Sequence, residues 1–510
     1  MKSLLTFSIV AFFVLRSPIC HAKDAAPPAT QAGNRPNIIF LFADDQCTYS
    51  MGCYDTPGAK TPNLDLLARE GMIFDRHYDT TAICMASRVN VMTGLFEYKS
   101  GCNFESGNLL DRIWQQSYPI RLRKAGYQTA FAGKFGFTIC KMPNQKGVLP
   151  EQDFDRWGGG PGQTSYVTAR NASMKEYAEE YPHSTLSYGA FGRDFIKDAA
   201  KSDKPFCLSI SFKAPHHPVQ PDPKFAEVYK NAKFVKPPNY GREHGEHFSE
   251  QSRQGRQYER FHSWNYADKY DATMALYYQQ IYAIDVATGM IRDALKKAGV
   301  ADNTVIIYSS DNGFFCGSHG YGSKVLPYEE SSRVPLIIYD PRHPSSGKEL
   351  RCDALTGNVD IGATIFELAG LDKPENMDGQ SLLTLLDNPK QEIHDYLPLI
   401  NVWGPNQVHS LAVVTPLGKF VYWPFASNGM TATEEVYDMR NDQDELHNLV
   451  GREQYREQVD LLRGTYLQAL DDWKDNNIGV HGYDRFSTIF DPAQPWSAKE
   501  AAYRLGTKAN

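Results

Sequence analysis

Pro36-Asn37-Ile38-Ile39-Phe40-Leu41-Phe42-Ala43 runs directly into Asp44-Asp45. The apolar residues of this stretch do not alternate with polar ones, so the strand they form must be covered on both faces, as in a parallel sheet flanked by helices. In open sheets of that kind the carboxyl ends of the strands face the ligand crevice, which puts two adjacent carboxylates where chemistry is done. An isolated Asp-Asp pair also serves as a helix or turn cap, and the rest of the chain has to decide between the two readings.

Outward from this strand the same texture recurs. Thr61 to Gly71 carries a Thr cap, Pro62 at the first helical position and Gly71 past the end, the signals of a helix. A helix-like segment from Ile120 to Ala125 leads into the strand Gln128 to Gly133, with Lys134 just beyond it. Pro205 to Phe212 is another apolar strand and enters Lys213-Ala214-Pro215-His216-His217-Pro218. Helical periodicity from Asp271 to Gly299 precedes the strand Asn303 to Ser310, which runs into Asp311-Asn312-Gly313. This alternation predicts a doubly wound α/β fold with a mainly parallel central sheet flanked by helices. Asp44-Asp45, Lys134, His216 and Asp311-Asn312 each follow a strand, so all four groups converge on one edge of that sheet.

After a helix at Val359 to Ala369 the texture changes. Short strands at 410–415, 418–423 and 434–438, separated by tight turns, precede a helical stretch from Tyr455 to Trp473. They predict a smaller C-terminal antiparallel sheet with a packed helix, and a boundary that divides a catalytic domain, 36–400, from a C-terminal subdomain, 401–510.

The start of the chain has the charge, apolar run and small-residue spacing of a secretory signal peptide cut after Ala22. Its apolar run, Leu4 to Leu15, is shorter than the roughly 20 residues of a membrane span, and no later segment supplies one. A secreted or periplasmic protein without a membrane span is expected, with 23–35, rich in Ala, Pro and Gln, as a flexible leader. Of the nine cysteines, Cys20 falls in the signal peptide and the rest lack Cys-x-x-Cys spacing, which argues against zinc ribbons and redox motifs. The net charge of −7 argues against nucleic-acid binding by the surface as a whole. An anionic substrate would need a local cationic pocket.

The remaining signal is Ile83-Cys84-Met85-Ala86-Ser87-Arg88, opening a short helix that ends in Thr93-Gly94. A cysteine on such a helix can be a small buried thiol. Together with RPNIIFLFADDQ, TPNLDLLAREG, GYQTAFAGK, FKAPHHP, SSDNG with the following GSK, YEESSRVPLII and VYDMRNDQDELHNL, in this order, it resembles the type I sulfatases of the alkaline phosphatase-like superfamily over nearly the whole mature chain. The resemblance implies that Cys84 is oxidised to formylglycine by a dedicated formylglycine-generating maturation enzyme. The aldehyde would hydrate to a geminal diol, one hydroxyl of which attacks the sulfur of a sulfate ester while the other later expels sulfate.

Asp44, Asp45, Asp311 and Asn312 are hard oxygen ligands, suited to Ca²⁺ or Mg²⁺ rather than zinc. The resemblance implies Ca²⁺, with an oxygen carried at position 84 or by bound sulfate completing the shell. Arg88 shares a helix face with Cys84, Lys134 and Lys324 match the family's cations for sulfate oxygens, and His216 is the candidate acid for the departing alcohol. One departure stands out: where the family usually continues G-K-W-H, this chain has Gly133-Lys134-Phe135-Gly136. Either His217 or His319 substitutes on the substrate side, or Gly136 opens room for a bulky sugar. Two other readings remain open, a phosphoesterase or phosphonate monoester hydrolase on the same fold, and a catalytically impaired binding relative. The segments Trp157 to Tyr188 and Asn231 to Tyr270, rich in Tyr, His, Gly and charge, read as pocket-shaping loops and favour a sulfated carbohydrate as substrate.

Overall fold

The computed structural model describes residues 35–506; the expected signal peptide and all but the last residue of the expected leader lie outside them. Strand β1 (Asn37–Ala43) is buried along its whole length, and its two faces go to two different cores. Ile39, Leu41 and Ala43 pack on α1 (Pro62–Glu70), α3 (Ser184–Ala199) and α5 (Tyr270–Ala298). Ile38, Phe40 and Phe42 face the layer of α2 (Cys84–Thr93) and α6 (Val359–Leu368). Burying each such side chain is worth about 1.5–3 kcal/mol, so a polar residue anywhere in the run would be costly.

The main sheet has eight strands. The others are β2 (Met72–Phe74), β3 (Gln128–Lys134), β4 (Arg156–Gly160), β5 (Phe206–Ser211), β6 (Thr304–Ser310), β7 (Leu336–Tyr339) and β8 (Leu350–Cys352). In space they run β8-β2-β7-β6-β1-β5-β3-β4. From β6 to β4 all pairings are parallel, with Leu41 opposite both Ile210 and Tyr308, whereas β7 is antiparallel to β6 and β2. The four strands that precede candidate site residues, β6, β1, β5 and β3, are therefore neighbours and end on the same edge.

Trp157 to Tyr188, expected as a loop, contains edge strand β4 and the start of α3. Its glycines hide the strand in sequence, yet they are what lets it pack: a Cβ on Gly158 would lie 2.8 Å from Met174 and from Phe191. In the C-terminal sheet, β9 (Leu397–Asn401), β10 (Ser410–Val414), β11 (Lys419–Trp423) and β12 (Thr433–Tyr437) form an antiparallel meander. Helix α7 (Arg456–Asn476) packs Leu462, Tyr466 and Leu470 against Phe420 and Tyr422. Strand β9 straddles residue 400. Pro398 breaks its pattern in sequence but is tolerated because β9 is an edge strand.

Candidate active site

The strand ends are tied together by their own backbone. Asp44 N–H donates to Ala214 O at 3.0 Å and Asp311 N–H to Ala43 O at 3.1 Å. Asp45 takes up a left-handed conformation, φ +72°, and its N–H donates to Asp311 Oδ1 at 3.2 Å. Helix α2 meets this edge with its first residue. All ten of its residues are buried, and it ends on Gly94 at φ +67°, whose N–H closes on Asn90 O.

Cys84 Sγ lies 3.4 Å from Asp44 Oδ1, 3.9 Å from Asn312 Oδ1 and 2.8 Å from Lys324 Nζ. Lys324 Nζ also pairs with Asp45 Oδ1. Lys134 Nζ lies 2.5 Å from Asp44 Oδ2. Arg88, one turn after Cys84, donates to Asp311 Oδ2 at 2.7 Å, to Lys134 O at 2.8 Å and to Ser211 Oγ. His216 Nε2 stands 3.8 Å from Asp45 Oδ2. Of the expected site residues, Cys84, Arg88, Lys134, Lys324, His216, Asp44, Asp45, Asp311 and Asn312 are thus brought into one contiguous cluster.

The electrostatics follow from burial and crowding. Burial pushes the Asp44 carboxyl up, but Lys134, His216, Arg88 and Lys324 together hold it well below the usual carboxylate range. Asp311 is lifted to about 6, by burial first and by Asp44 next, even with Arg88 beside it. Burial and then Asp44 raise the Cys84 thiol to about 12, so an unmodified cysteine here stays protonated at neutral pH and is a poor nucleophile. Burial lowers His216 to about 4, against the pull of Asp45 and Asp44.

The donor set fits a hard divalent cation of the Ca²⁺ type. Ligand atoms of Asp44, Asp45, Cys84 and His216 all lie within 4.8 Å of one another, with the Asn312 amide oxygen beside Cys84 and Asp311 bonded to Asp45. Oxygen dominates the set, and the mutual repulsion that raises Asp311 is what a cation would relieve.

Two expectations, for His319 and Gly136, are corrected in place, and His217 is located. His319 does not join the cluster: fully buried, it contacts Asn239 Nδ2 at 2.9 Å and His244 O at 2.9 Å, with Glu330 Oε1 at 3.7 Å. Gly317 at φ +97° and Gly320 at φ +72° turn the chain around it, which its closeness to Lys324 in sequence does not reveal. His217 lies on the rim, stacked on Trp264 at 3.8 Å and 6° and within reach of the Asp45 charge. Gly136 does not open a void for substrate. A Cβ there would sit 2.4 Å from Arg88 Cδ, so Arg88 fills that space. Sequence reasoning missed Ser211, the last residue of β5, which holds Arg88; its only signal was its place at a strand end.

The sulfatase family model matches residues 36–371. The chain belongs to the sulfatase family. It is a sulfuric ester hydrolase, and a model of the C-terminal region of N-sulphoglucosamine sulphohydrolase also matches 317–471. The sulfatase is 28% identical to an N-acetylglucosamine-6-O-sulfatase of Bacteroides thetaiotaomicron, with 89% of each chain covered. It is 27% identical to an arylsulfatase of Clostridium perfringens, over 88% of this chain and 98% of that one. A solved structure in complex with its substrate D-glucosamine-2-N,6-O-disulfate superposes with a TM-score of 0.70 at 26% identity, covering 87% of this sulfatase and 99% of that chain. A phosphonate monoester hydrolase of Agrobacterium radiobacter reaches the same TM-score at 20% identity, covering 86% and 96%, and shares the fold.

Proposed function

We propose that this sulfatase removes sulfate from a sulfated carbohydrate, with residue 84 working as formylglycine after maturation. The observation that carries the reading is the convergence of Asp44, Asn312 and Lys324 on the side chain of residue 84 at the buried start of α2. The names of the relatives, an N-acetylglucosamine-6-O-sulfatase and a structure holding a sulfated glucosamine, support the carbohydrate class.

Asp44, Asp45, Asp311 and Asn312 would hold the cation, which supplies positive charge for the oxygens at the reacting centre. Lys134 and Lys324 are placed to bind sulfate oxygens, and Arg88 fixes the start of α2 against β3 and β5 so that residue 84 keeps its aim. His216 Nε2 faces the cluster from the loop after β5 and is placed to hand a proton to the leaving alcohol once the negative charge of a bound sulfate offsets the burial that lowers it. Burial of these groups excludes water and strengthens every charge interaction among them.

The candidate is an exported enzyme, and no helix among the described residues is long and apolar enough to cross a membrane. The test is sulfate release by the matured, Ca²⁺-loaded protein from sulfated monosaccharides, run beside an aryl phosphate and a phosphonate monoester. Sulfate release with little phosphate or phosphonate turnover is expected. Preferential phosphonate or phosphate cleavage would replace this reading with the other ester class.

A further inference from the structure

Helix α4 (Arg256–Ser263) carries Arg256 and Arg260 one turn apart, and neither forms a salt bridge among the described residues. Arg256 lies over the Trp403 ring at 4.3 Å. Arg260 lies over the Trp264 ring at 4.1 Å and donates to Ser323 Oγ at 2.8 Å. The placement of both pairs ties them to the reaction site. Trp403 packs against the cluster of Ile83, Ala86 and Val325, which includes the neighbours of Cys84 and Lys324. Ser323 precedes Lys324, and Trp264 stacks on His217, next to His216.

These guanidiniums differ from the cations inside the cluster. Lys134, Lys324 and Arg88 are each engaged with carboxylates, whereas Arg256 and Arg260 repel each other. Burial, then Arg256, lowers Arg260 to about 10 in spite of Asp45. Burial lowers Arg256 as well, a shift that only a thiolate at residue 84 would offset. Beside Arg256 and Trp403 lies a cavity of about 490 Å³, lined also by Arg253, Gly404 and Pro405, with Glu259 as its one carboxylate. A groove of this size admits a sugar ring, and an Arg fork backed by a Trp face matches a planar carboxylate or a sulfate next to such a ring.

We propose that Arg256 and Arg260, backed by Trp403 and Trp264, form an anion subsite beside the scissile sulfate. The sugar accepted therefore carries a second negative group, a carboxylate or another sulfate. This rests on the sulfatase reading above and deepens it.

The test compares kcat/KM on the matured enzyme for three sugars with the same scissile sulfate: one otherwise neutral, one with an added carboxylate, one with an added second sulfate. The wild type is expected to prefer one dianionic sugar by about tenfold or more, the scale of a charge-assisted contact, and the preferred arm identifies the anion. Arg256→Gln/Arg260→Gln should bring that ratio to about one, and Arg256→Gln alone, at an exposed position, should reduce it where the double variant does not fold. Calorimetric titration of Cys84→Ala protein with the same sugars reads the subsite without turnover. If no sugar loses sulfate, the sulfatase reading fails, while tighter binding of a dianionic sugar that is lost with the two arginines still upholds the subsite. Equal preference in wild type, or a preference the arginine variants keep, overturns it.

Discussion

Gly136→Ala tests whether the departure from the family's G-K-W-H pattern is built into the site. Gly136 sits at φ +89°, and a Cβ there would lie 2.4 Å from Arg88 Cδ and 3.2 Å from Arg88 Nε. The arginine cannot give way freely, because its far end is held by Asp311 at 2.7 Å, by Lys134 O at 2.8 Å and by Ser211. A left-handed backbone costs an L-residue about 1–2 kcal/mol, and overpacking a filled site about 1–3 kcal/mol, so the variant should lose about 2–5 kcal/mol. Moving the guanidinium by roughly an ångström should also lower kcat/KM about a hundredfold. Urea denaturation and sulfate release measured on the same preparation check both effects. A variant within about 0.5 kcal/mol of wild type that keeps full turnover would refute the packing argument. The same geometry predicts that restoring the family's histidine at 136 does not restore a family-like site.

Cys84→Ala should fold with an unchanged melting temperature and lose sulfate release; retained turnover would show that the reacting group lies elsewhere. Asp311→Asn should weaken Ca²⁺ binding and activity together, read by calorimetric titration, since it removes a ligand charge and the anchor of Arg88. Lys419→Met should destabilise the protein by about 3–5 kcal/mol, because Lys419 Nζ is buried between Glu329 at 2.7 Å and Glu445 at 2.8 Å and its loss leaves the Glu329 carboxylate buried without its cation; a thermal midpoint close to wild type would count against that. Burial raises Glu97 to about 7 from 4.5, so between those values the folded state binds a proton the unfolded chain has released, and stability falls as pH rises through the window. Asp311, Asp285 and Glu330 are raised into the same window, so Glu97→Gln should make the slope of unfolding midpoints across that range shallower by one group's share, and an identical slope would exclude Glu97 as a contributor.

The sequence-level reading of the fold succeeded where burial writes itself into composition. β1 was legible because two covered faces forbid polar residues, and α1 because Thr61, Pro62 and Gly71 punctuate it. β4 and β9 were not, since Gly158-Gly159-Gly160 and Pro398 carry loop signals that only tertiary packing and edge position override. The cluster at the sheet edge was legible for a topological reason: parallel neighbours deliver the residues that follow them to one place. What fixes Arg88 was not, because the contacts of Ser211 and Gly136 depend on backbone angles and on strand neighbours far away in the chain. Arg256 and Arg260 lie in the segment 231–270, which reads as a pocket-shaping loop without singling them out, and only the absence of a salt bridge to either among the described residues sets them apart.

In the proposed reaction residue 84 works as an aldehyde rather than as the encoded thiol. Its most direct test is the mass of the peptide containing residue 84, from protein produced together with a formylglycine-generating enzyme. A peptide lighter than the encoded one by the exchange of H₂S for oxygen is expected, in a preparation that releases sulfate from a sulfated sugar. An active preparation whose peptide keeps the unmodified cysteine mass would contradict it.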